Sequence, residues 1–269
     1  MNRHKDLAVL DRPEIVNFLF YPRRESGAKT PENVICKEIP MPDGTPVGIR
    51  MHCPSPDLPV ILFFHGNGEI AQDYDPIGPV YNEFQMNFIV ADFRGYGRSG
   101  GRPGIVSMFE DAHEVLTHVR AWMTEKGFSG GLWIMGRSLG SAPAIDLAAA
   151  HPENISGLIV ESGFSQTLSL LERLGIDITL PDGDDARVFS NARAIAGYPG
   201  PLLVMHGRYD RIIPVQNGHE LYEKAPGLKK RLHIVENADH NTIMMEAGRS
   251  YFEIISEFIG FAGRVAIES

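Results

Sequence analysis

The chain has 269 residues, 43% of them hydrophobic and 22% charged, with 25 Lys and Arg against 34 Asp and Glu for a formal net charge of −9. That length and apolar share suit one large α/β domain with a substantial core and a modest insertion. The acidic balance, without any Lys/Arg block, argues against nucleic acid as a partner, and two cysteines are too few for a disulfide scaffold.

At the N-terminus Arg3 and Lys5 are followed by Asp6 and Asp11, which interrupt any apolar leader segment. Later apolar runs are far too short to span a bilayer, so the expectation is a cytoplasmic protein without membrane insertion. Residues 1–32 read as an N-terminal extension. Residues 33–53 read as two antiparallel strands turning at Pro42-Asp43-Gly44-Thr45. Centring the turn on Asp43-Gly44 puts Cys36 opposite Met51 and Cys53 diagonal to it, a poor geometry for a disulfide, so free thiols are expected.

Val60–Phe64 is a continuous apolar run, the pattern of a strand buried on both faces, and Asn87–Ala91 is another. The stretch Gly95-Tyr96-Gly97-Arg98-Ser99-Gly100 fits a dinucleotide fingerprint by spacing. Gly101, Pro103 and Gly104 follow at once and prevent the helix that such a fingerprint needs, so no NAD is expected. From Ser107 to Lys126 the apolar positions recur at helical spacing. His113 and His118 on that helix are five apart and do not share a face, and no HExxH or thiol cluster exists; no metal and no cofactor are expected.

Leu132–Met135, Gly157–Val160, Leu202–Met205 and Leu232–Val235 read as further strands, with helices between them. A last helix carries Phe252, Ile255, Phe258, Ile259 and Ala262 on one face. Alternating strands and helices imply a mostly parallel sheet covered on both sides. One stretch breaks the rhythm: Ser162 to about Ile195 holds a helical piece, Ser165–Leu174, and then a loop too long for a plain connection, which reads as a short lid. Its Asp182, Asp184 and Asp185 read as a solvated acidic loop, with cation binding as the alternative.

The chemistry concentrates at Gly136-Arg137-Ser138-Leu139-Gly140, between the strand at 132–135 and an alanine-rich helix, Leu139–Ala150. Strand, glycine turn, serine and helix in that order make a nucleophile elbow, in which flanking glycines let the backbone turn tightly and expose the serine hydroxyl. Ser138 is also a preferred helix-capping residue, which is the structural alternative. A serine nucleophile needs a base, itself oriented by an acid. In chain order, Asp210 follows the strand at 202–205 and His240 follows the strand at 232–235, both at carboxyl ends of strands, the ligand-binding edge of a parallel sheet. Glu161, at the end of the strand after the elbow helix, is the rival acid.

These residues resemble the short-lidded serine hydrolases of the α/β-hydrolase superfamily, in which HGN, G-x-S-x-G, HG-x-x-D and a late Asp/Gly-His recur. Here they are His65-Gly66-Asn67, the elbow, His206-Gly207-Arg208-Tyr209-Asp210 and Asp239-His240. The resemblance runs from about residue 33 to the end. It implies an α/β-hydrolase domain over 33–269: a mostly parallel sheet of about eight strands, helices on both faces and a lid insertion at about 162–195. It further implies a Ser138–Asp210–His240 triad and an oxyanion hole built from the backbone amides of Asn67 and Leu139, with His65 a structural loop residue. The implied activity is cleavage of esters or thioesters of small acyl substrates, the alternatives being a peptidase or amidase, or a non-catalytic ligand-binding protein of the same fold. Arg137 is expected to make a structural ion pair rather than a substrate contact. Asp239 stands where the family more often has glycine, and its charge is expected to bear on the histidine.

Overall fold

The continuous apolar runs become the centre of a single sheet. The computed structural model describes residues 5–176 and 188–264, and its strands are β1 (Ile35–Pro40), β2 (Pro46–His52), β3 (Val60–Phe64), β4 (Asn87–Ala91), β5 (Leu132–Arg137), β6 (Gly157–Glu161), β7 (Leu202–Gly207) and β8 (Lys230–Val235). They lie in the order β1-β2-β4-β3-β5-β6-β7-β8. β1 and β2 form an antiparallel hairpin, β2 runs antiparallel to β4, and every later pairing is parallel.

Alternation along β3 shows why its apolar run is unbroken. Val60, Leu62 and Phe64 join one buried cluster, while Ile61 and Phe63 join the cluster on the opposite face, as side chains of a pleated strand must. The helices are α1 (Pro13–Leu19) before the first strand, α2 (Gly78–Glu83), α3 (Ile105–Glu125), α4 (Ser141–Ala150), α5 (Thr167–Arg173), α6 (Asn191–Ile195) and α7 (Gln216–Lys224) between strands, and α8 (Ile243–Ala247) and α9 (Arg249–Arg264) after the last. Buried residues of α3, α4 and α7 cover the first face, and those of α2 and α9 the second. Among the described residues no helix is long and apolar enough to cross a membrane.

Strand order reverses around β3, which lies between β4 and β5. Connections leaving the carboxyl ends of β3 and β5 therefore diverge and open a crevice, the place where sheets of this kind bind ligands. The segment before β1 helps to shape that crevice. Leu7, Leu10, Ile15, Leu19 and Phe20 are buried in the first cluster, and the Asp11 carboxylate accepts the Ile105 and Val106 amides at 2.5 and 3.1 Å. It thereby satisfies orphan donors at the start of α3 and places a negative charge at the positive end of its dipole.

The hairpin departs from its expected register. Gly44 N–H donates to the Met41 carbonyl at 2.8 Å and Met41 N–H to the Thr45 carbonyl at 2.9 Å. The loop is thus Pro42-Asp43-Gly44, with Gly44 at φ +82°. A glycine in the left-handed region lengthens the turn from two residues to three. Cys36 consequently faces Arg50, and Ile35 rather than Cys36 faces Met51. Both cysteines are free, and burial pushes the Cys53 thiol up to about 12, which keeps it protonated and unreactive.

The stretch that carries the dinucleotide-like spacing is a loop of turns, and α3 begins only at Ile105. His113 and His118 do not meet: His113 contacts Asp146 and His151, each at 2.8 Å, whereas His118 Nδ1–H donates to the Glu114 carbonyl one turn back. Of the expected lid, α5 and α6 are described; residues 177–187, with Asp182, Asp184 and Asp185, lie outside the described residues.

Candidate active site

β5 delivers the chain to a sharp turn. Ser138 has φ +52°, a left-handed conformation that a non-glycine residue holds only when its surroundings enforce it. A Cβ on residue 136 would overlap the Gly140 carbonyl, and one on residue 140 would overlap the Phe64 carbonyl at the end of β3. The glycines therefore answer the closeness of two backbones as well as the turn itself. Gly140→Ala is expected to destabilise the fold by about 3 kcal/mol or more, since main chain rather than a flexible side chain must yield; urea unfolding measures it.

Capping is not what Ser138 does. The chain leaves β5 through a short 3-10 turn, Ser138–Gly140, with Arg137 at its N-cap and no side-chain cap bond, and α4 starts only at Ser141 rather than at Leu139. The Ser138 hydroxyl instead donates to His240 Nε2 at 2.9 Å. On the other side of the ring, His240 Nδ1–H donates to Asp210 Oδ2 at 2.7 Å. Three residues from three loops, as much as 102 positions apart, thus form one continuous chain of hydrogen bonds.

Asp210 is held from all sides. Its Oδ1 accepts the Ile212 and Ile213 amides at 2.9 and 2.8 Å, and His206 Nε2 lies 3.3 Å from Oδ2 while donating to the Ile213 carbonyl. Burial by itself would raise this carboxyl. The hydrogen bonds from His206 and His240 outweigh burial and hold it well below the usual carboxylate range. An ionised Asp210 fixes the imidazole with its proton on Nδ1 and its lone pair toward the serine, the arrangement a general base requires.

Glu161, the rival acid, is engaged elsewhere: it pairs with Arg137 Nε at 3.1 Å and accepts the Tyr251 hydroxyl at 2.6 Å. Arg137 also pairs with Glu69, so it makes ion pairs on two sides. Asp239 does not reach the His240 ring. Its Oδ1 accepts the Asn241 amide at 2.8 Å, the Thr242 amide at 3.1 Å and the Thr242 hydroxyl at 3.0 Å. The aspartate shapes the turn that carries His240, and those donors hold its own pKa down. His65 is wholly buried, its Nδ1–H donating to the Gly66 carbonyl at 2.8 Å.

Ser138, His240, Asn67 and Leu139 all line one cavity of about 260 Å³, whose other walls include Leu19, Leu170, Leu174, Ile212 and Ile213. The Asn67 side chain is tied to the leading segment and to Tyr96. Its Nδ2 donates to the Leu19 carbonyl at 2.5 Å, and its Oδ1 accepts the Tyr21 amide and the Tyr96 hydroxyl at 2.9 and 2.7 Å. Those bonds anchor Asn67, whose main-chain amide is the expected oxyanion donor. Leu139, in the first turn after the strand, likewise has an amide outside the helical ladder. Among the described residues no group of three or more His, Cys, Asp or Glu side chains is arranged to hold a metal ion.

Leu19 and His206 are parts of this site that sequence reasoning missed. His206 sat in plain view in His206-Gly207-Arg208-Tyr209-Asp210, four residues before the acid. Leu19 had only a weak signal, the helical spacing of Ile15 and Leu19 in a segment outside the resemblance.

A mixed eight-stranded sheet with a serine elbow after its central strand, and an acid and a histidine on the loops after β7 and β8, defines a class of protein: an α/β-hydrolase fold with a Ser–His–Asp constellation. Comparisons agree with the fold. The family profile described as serine aminopeptidase, S33, matches residues 56–172. Protein bem46 of Schizosaccharomyces pombe is 27% identical over 209 residues, covering 75% of this chain and 67% of that protein. The alpha/beta hydrolase domain-containing protein 17C of Mus musculus is 28% identical over 207 residues, covering 74% of this chain and 59% of that protein. The chain therefore spans about three fifths to two thirds of the length of these relatives. Among solved structures, an esterase of Pyrococcus furiosus superposes with a TM-score of 0.71 at 19% identity, over 89% of this chain and 98% of that one. A monoacylglycerol lipase of Paleococcus ferrophilus gives 0.57 at 18% identity, over 77% and 96%. The chain has the α/β-hydrolase fold of these solved structures, and the middle of its sequence is similar to that family profile.

Proposed function

We propose that the protein is a serine hydrolase that cleaves carboxylic ester or thioester bonds of small acyl compounds through an acyl-enzyme. The observation that carries this reading is the unbroken Ser138–His240–Asp210 hydrogen-bond chain at the wall of an apolar cavity. In this reading His240 removes the hydroxyl proton as Ser138 Oγ attacks the acyl carbon, and Asp210 stabilises the imidazolium that forms. The amides of Asn67 and Leu139 receive the charge that builds on the carbonyl oxygen, each such donor contributing roughly 3 kcal/mol to the transition state. The imidazolium then protonates the leaving alcohol or thiol. Water, deprotonated by the same ring, releases the acid. No metal or organic cofactor enters these steps, and the cytoplasm is the proposed location.

The cavity argues for an aliphatic acyl group. Its walls carry leucine and isoleucine side chains, and its volume of about 260 Å³ holds roughly eight or nine water-sized groups. Each methylene taken out of water there contributes about 0.8 kcal/mol. On a panel of p-nitrophenyl esters, kcat/KM is expected to rise with acyl length to about six to eight carbons and then to fall. Leu174→Trp, which fills the cavity, should depress the longer esters at least tenfold while sparing the acetate; a uniform loss would place the acyl chain elsewhere. The same panel with matched aminoacyl and acyl anilides tests the peptidase or amidase alternative, to which the description of the matching family profile lends support. Absence of turnover on every ester, thioester and amide, with ligand binding intact, would favour the binding-protein alternative.

A further inference from the structure

Arg137 stands one residue before Ser138, and its side chain is only 11% exposed. Burial opposes its charge, but the carboxylates of Glu69 and Glu161 more than offset that and keep it a cation. The guanidinium is occupied on three sides. Nη1 donates to Glu69, Nε donates to Glu161 at 3.1 Å, and Nη2 donates to the His240 carbonyl at 2.9 Å and to Asn241 Oδ1 at 3.0 Å. Glu69 is itself tied to the loop after β3, since its Oε2 accepts the Gly66 amide at 2.7 Å and the Tyr74 hydroxyl at 2.8 Å. That loop passes so near that a Cβ on Gly66 would lie 2.6 Å from Nη1.

A planar fork of five donors can hold several bodies at fixed angles, which a lysine ammonium on its flexible stem cannot. We propose that Arg137 is a positioning residue that locks the oxyanion loop to the loop of the general base across the nucleophile elbow. Glu69 is its handle on the Gly66-Asn67 side, and the His240 carbonyl and Asn241 are its handle on the other. Asp210 sets the tilt of the imidazole; Arg137 sets where the main chain beneath it stands relative to the Asn67 amide. Misplacement by about 1 Å between groups that act together costs on the order of a hundredfold in rate.

This inference rests on the reading of Ser138 and His240 as the reacting pair. The charged groups around His240 are Asp210 at Nδ1 with His206 behind it, the Arg137–Glu69–Glu161 cluster at its main chain, Asp239 next in the chain, and Arg211 and Glu246 across the outer cavity that His240 also lines. Within the cluster two carboxylates face one guanidinium. Removing the cation leaves more negative charge near the ring and favours imidazolium. Removing a carboxylate does the reverse.

Arg137→Lys, Arg137→Gln and Glu69→Gln test the lock, each measured for kcat, KM and the pH profile of kcat/KM on p-nitrophenyl butyrate, with urea unfolding as the control for folding. Arg137→Lys keeps the charge and loses the fork: kcat should fall 10- to 100-fold with KM within about twofold and the acid limb unmoved. Arg137→Gln should lose as much kcat, with its acid limb roughly half to one pH unit higher. Glu69→Gln should move that limb the other way. A folded Arg137→Lys enzyme with wild-type kcat overturns the proposal. Should the Arg137 variants fail to fold, Glu69→Gln, whose carboxylate is a quarter exposed, decides alone: unchanged kcat and unchanged limb overturn it. A wild-type protein inert toward every ester, or a Ser138→Ala protein still active, would instead remove the serine-hydrolase reading beneath it.

Discussion

Ser138→Ala is expected to lower ester turnover by about 10⁶-fold and to abolish labelling by a fluorophosphonate probe, while the protein stays folded. The magnitude is that of losing a nucleophile whose partners remain but have nothing to activate. Folding should survive because the hydroxyl's hydrogen bond runs to His240 and caps no helix. The Ser141 hydroxyl, which donates to the Ser138 carbonyl at 2.6 Å, keeps its bond in the variant. What remains over the uncatalysed rate reports the cavity and the oxyanion donors, on the order of 10³-fold. Undiminished probe labelling would mean that another residue is the nucleophile.

Asp210→Asn should cost about 10⁴-fold in kcat. The asparagine can still accept the Ile212 and Ile213 amides through its carbonyl oxygen, so the loop has no reason to move. Its amide group then points at His240 Nδ1 as a donor, which forces the imidazole proton onto Nε2. A ring protonated there has no lone pair for Ser138. A loss of less than about tenfold, with Glu161→Gln costing far more, would assign the acid to Glu161.

The pH dependence of activity near neutrality does not come from Asp210. Asp210 is held well below the usual carboxylate range and stays ionised throughout the working range. A rise in kcat/KM between pH 5 and 8 is therefore not the acid's and is expected of the general base; a flat profile would count against a base that must first lose a proton. For stability the sign is opposite to that of a cation. A carboxylate depressed in the folded state stabilises the protein above its unfolded value near pH 4 and loses that contribution as pH falls further. Urea midpoints measured from pH 6 down to pH 3 should accordingly fall more steeply for the wild type than for Asp210→Asn.

Much of this was legible from residues alone, and for a physical reason in each case. An apolar run with no polar face, such as Val60–Phe64, has only one stable home, a strand covered on both sides. Glycines at 136 and 140 around a serine make sense where backbone crowds backbone. The order of Ser138, Asp210 and His240, each just after a strand, follows from a parallel sheet collecting its carboxyl ends on one edge. The hairpin register was not legible, since it turned on whether Gly44 adds a third residue to the loop. Nor was the use of Asp239, because the pattern places it beside the base and cannot say where its oxygens point.

By itself, then, the sequence determined the fold class and the three residues proposed to react, because hydrophobic periodicity and backbone sterics act locally and leave their mark in neighbouring residues. Only the tertiary structure decided which carboxylate the histidine binds, that Leu19 from the leading segment walls the cavity, and that Arg137 spans Glu69 and the His240 carbonyl. These are contacts between residues 30 to 103 positions apart, such as His240 with Asp210, Leu19 with Asn67 and Arg137 with the His240 carbonyl. Their geometry depends on side-chain direction and on the meeting of loops from different strands, which no local pattern encodes.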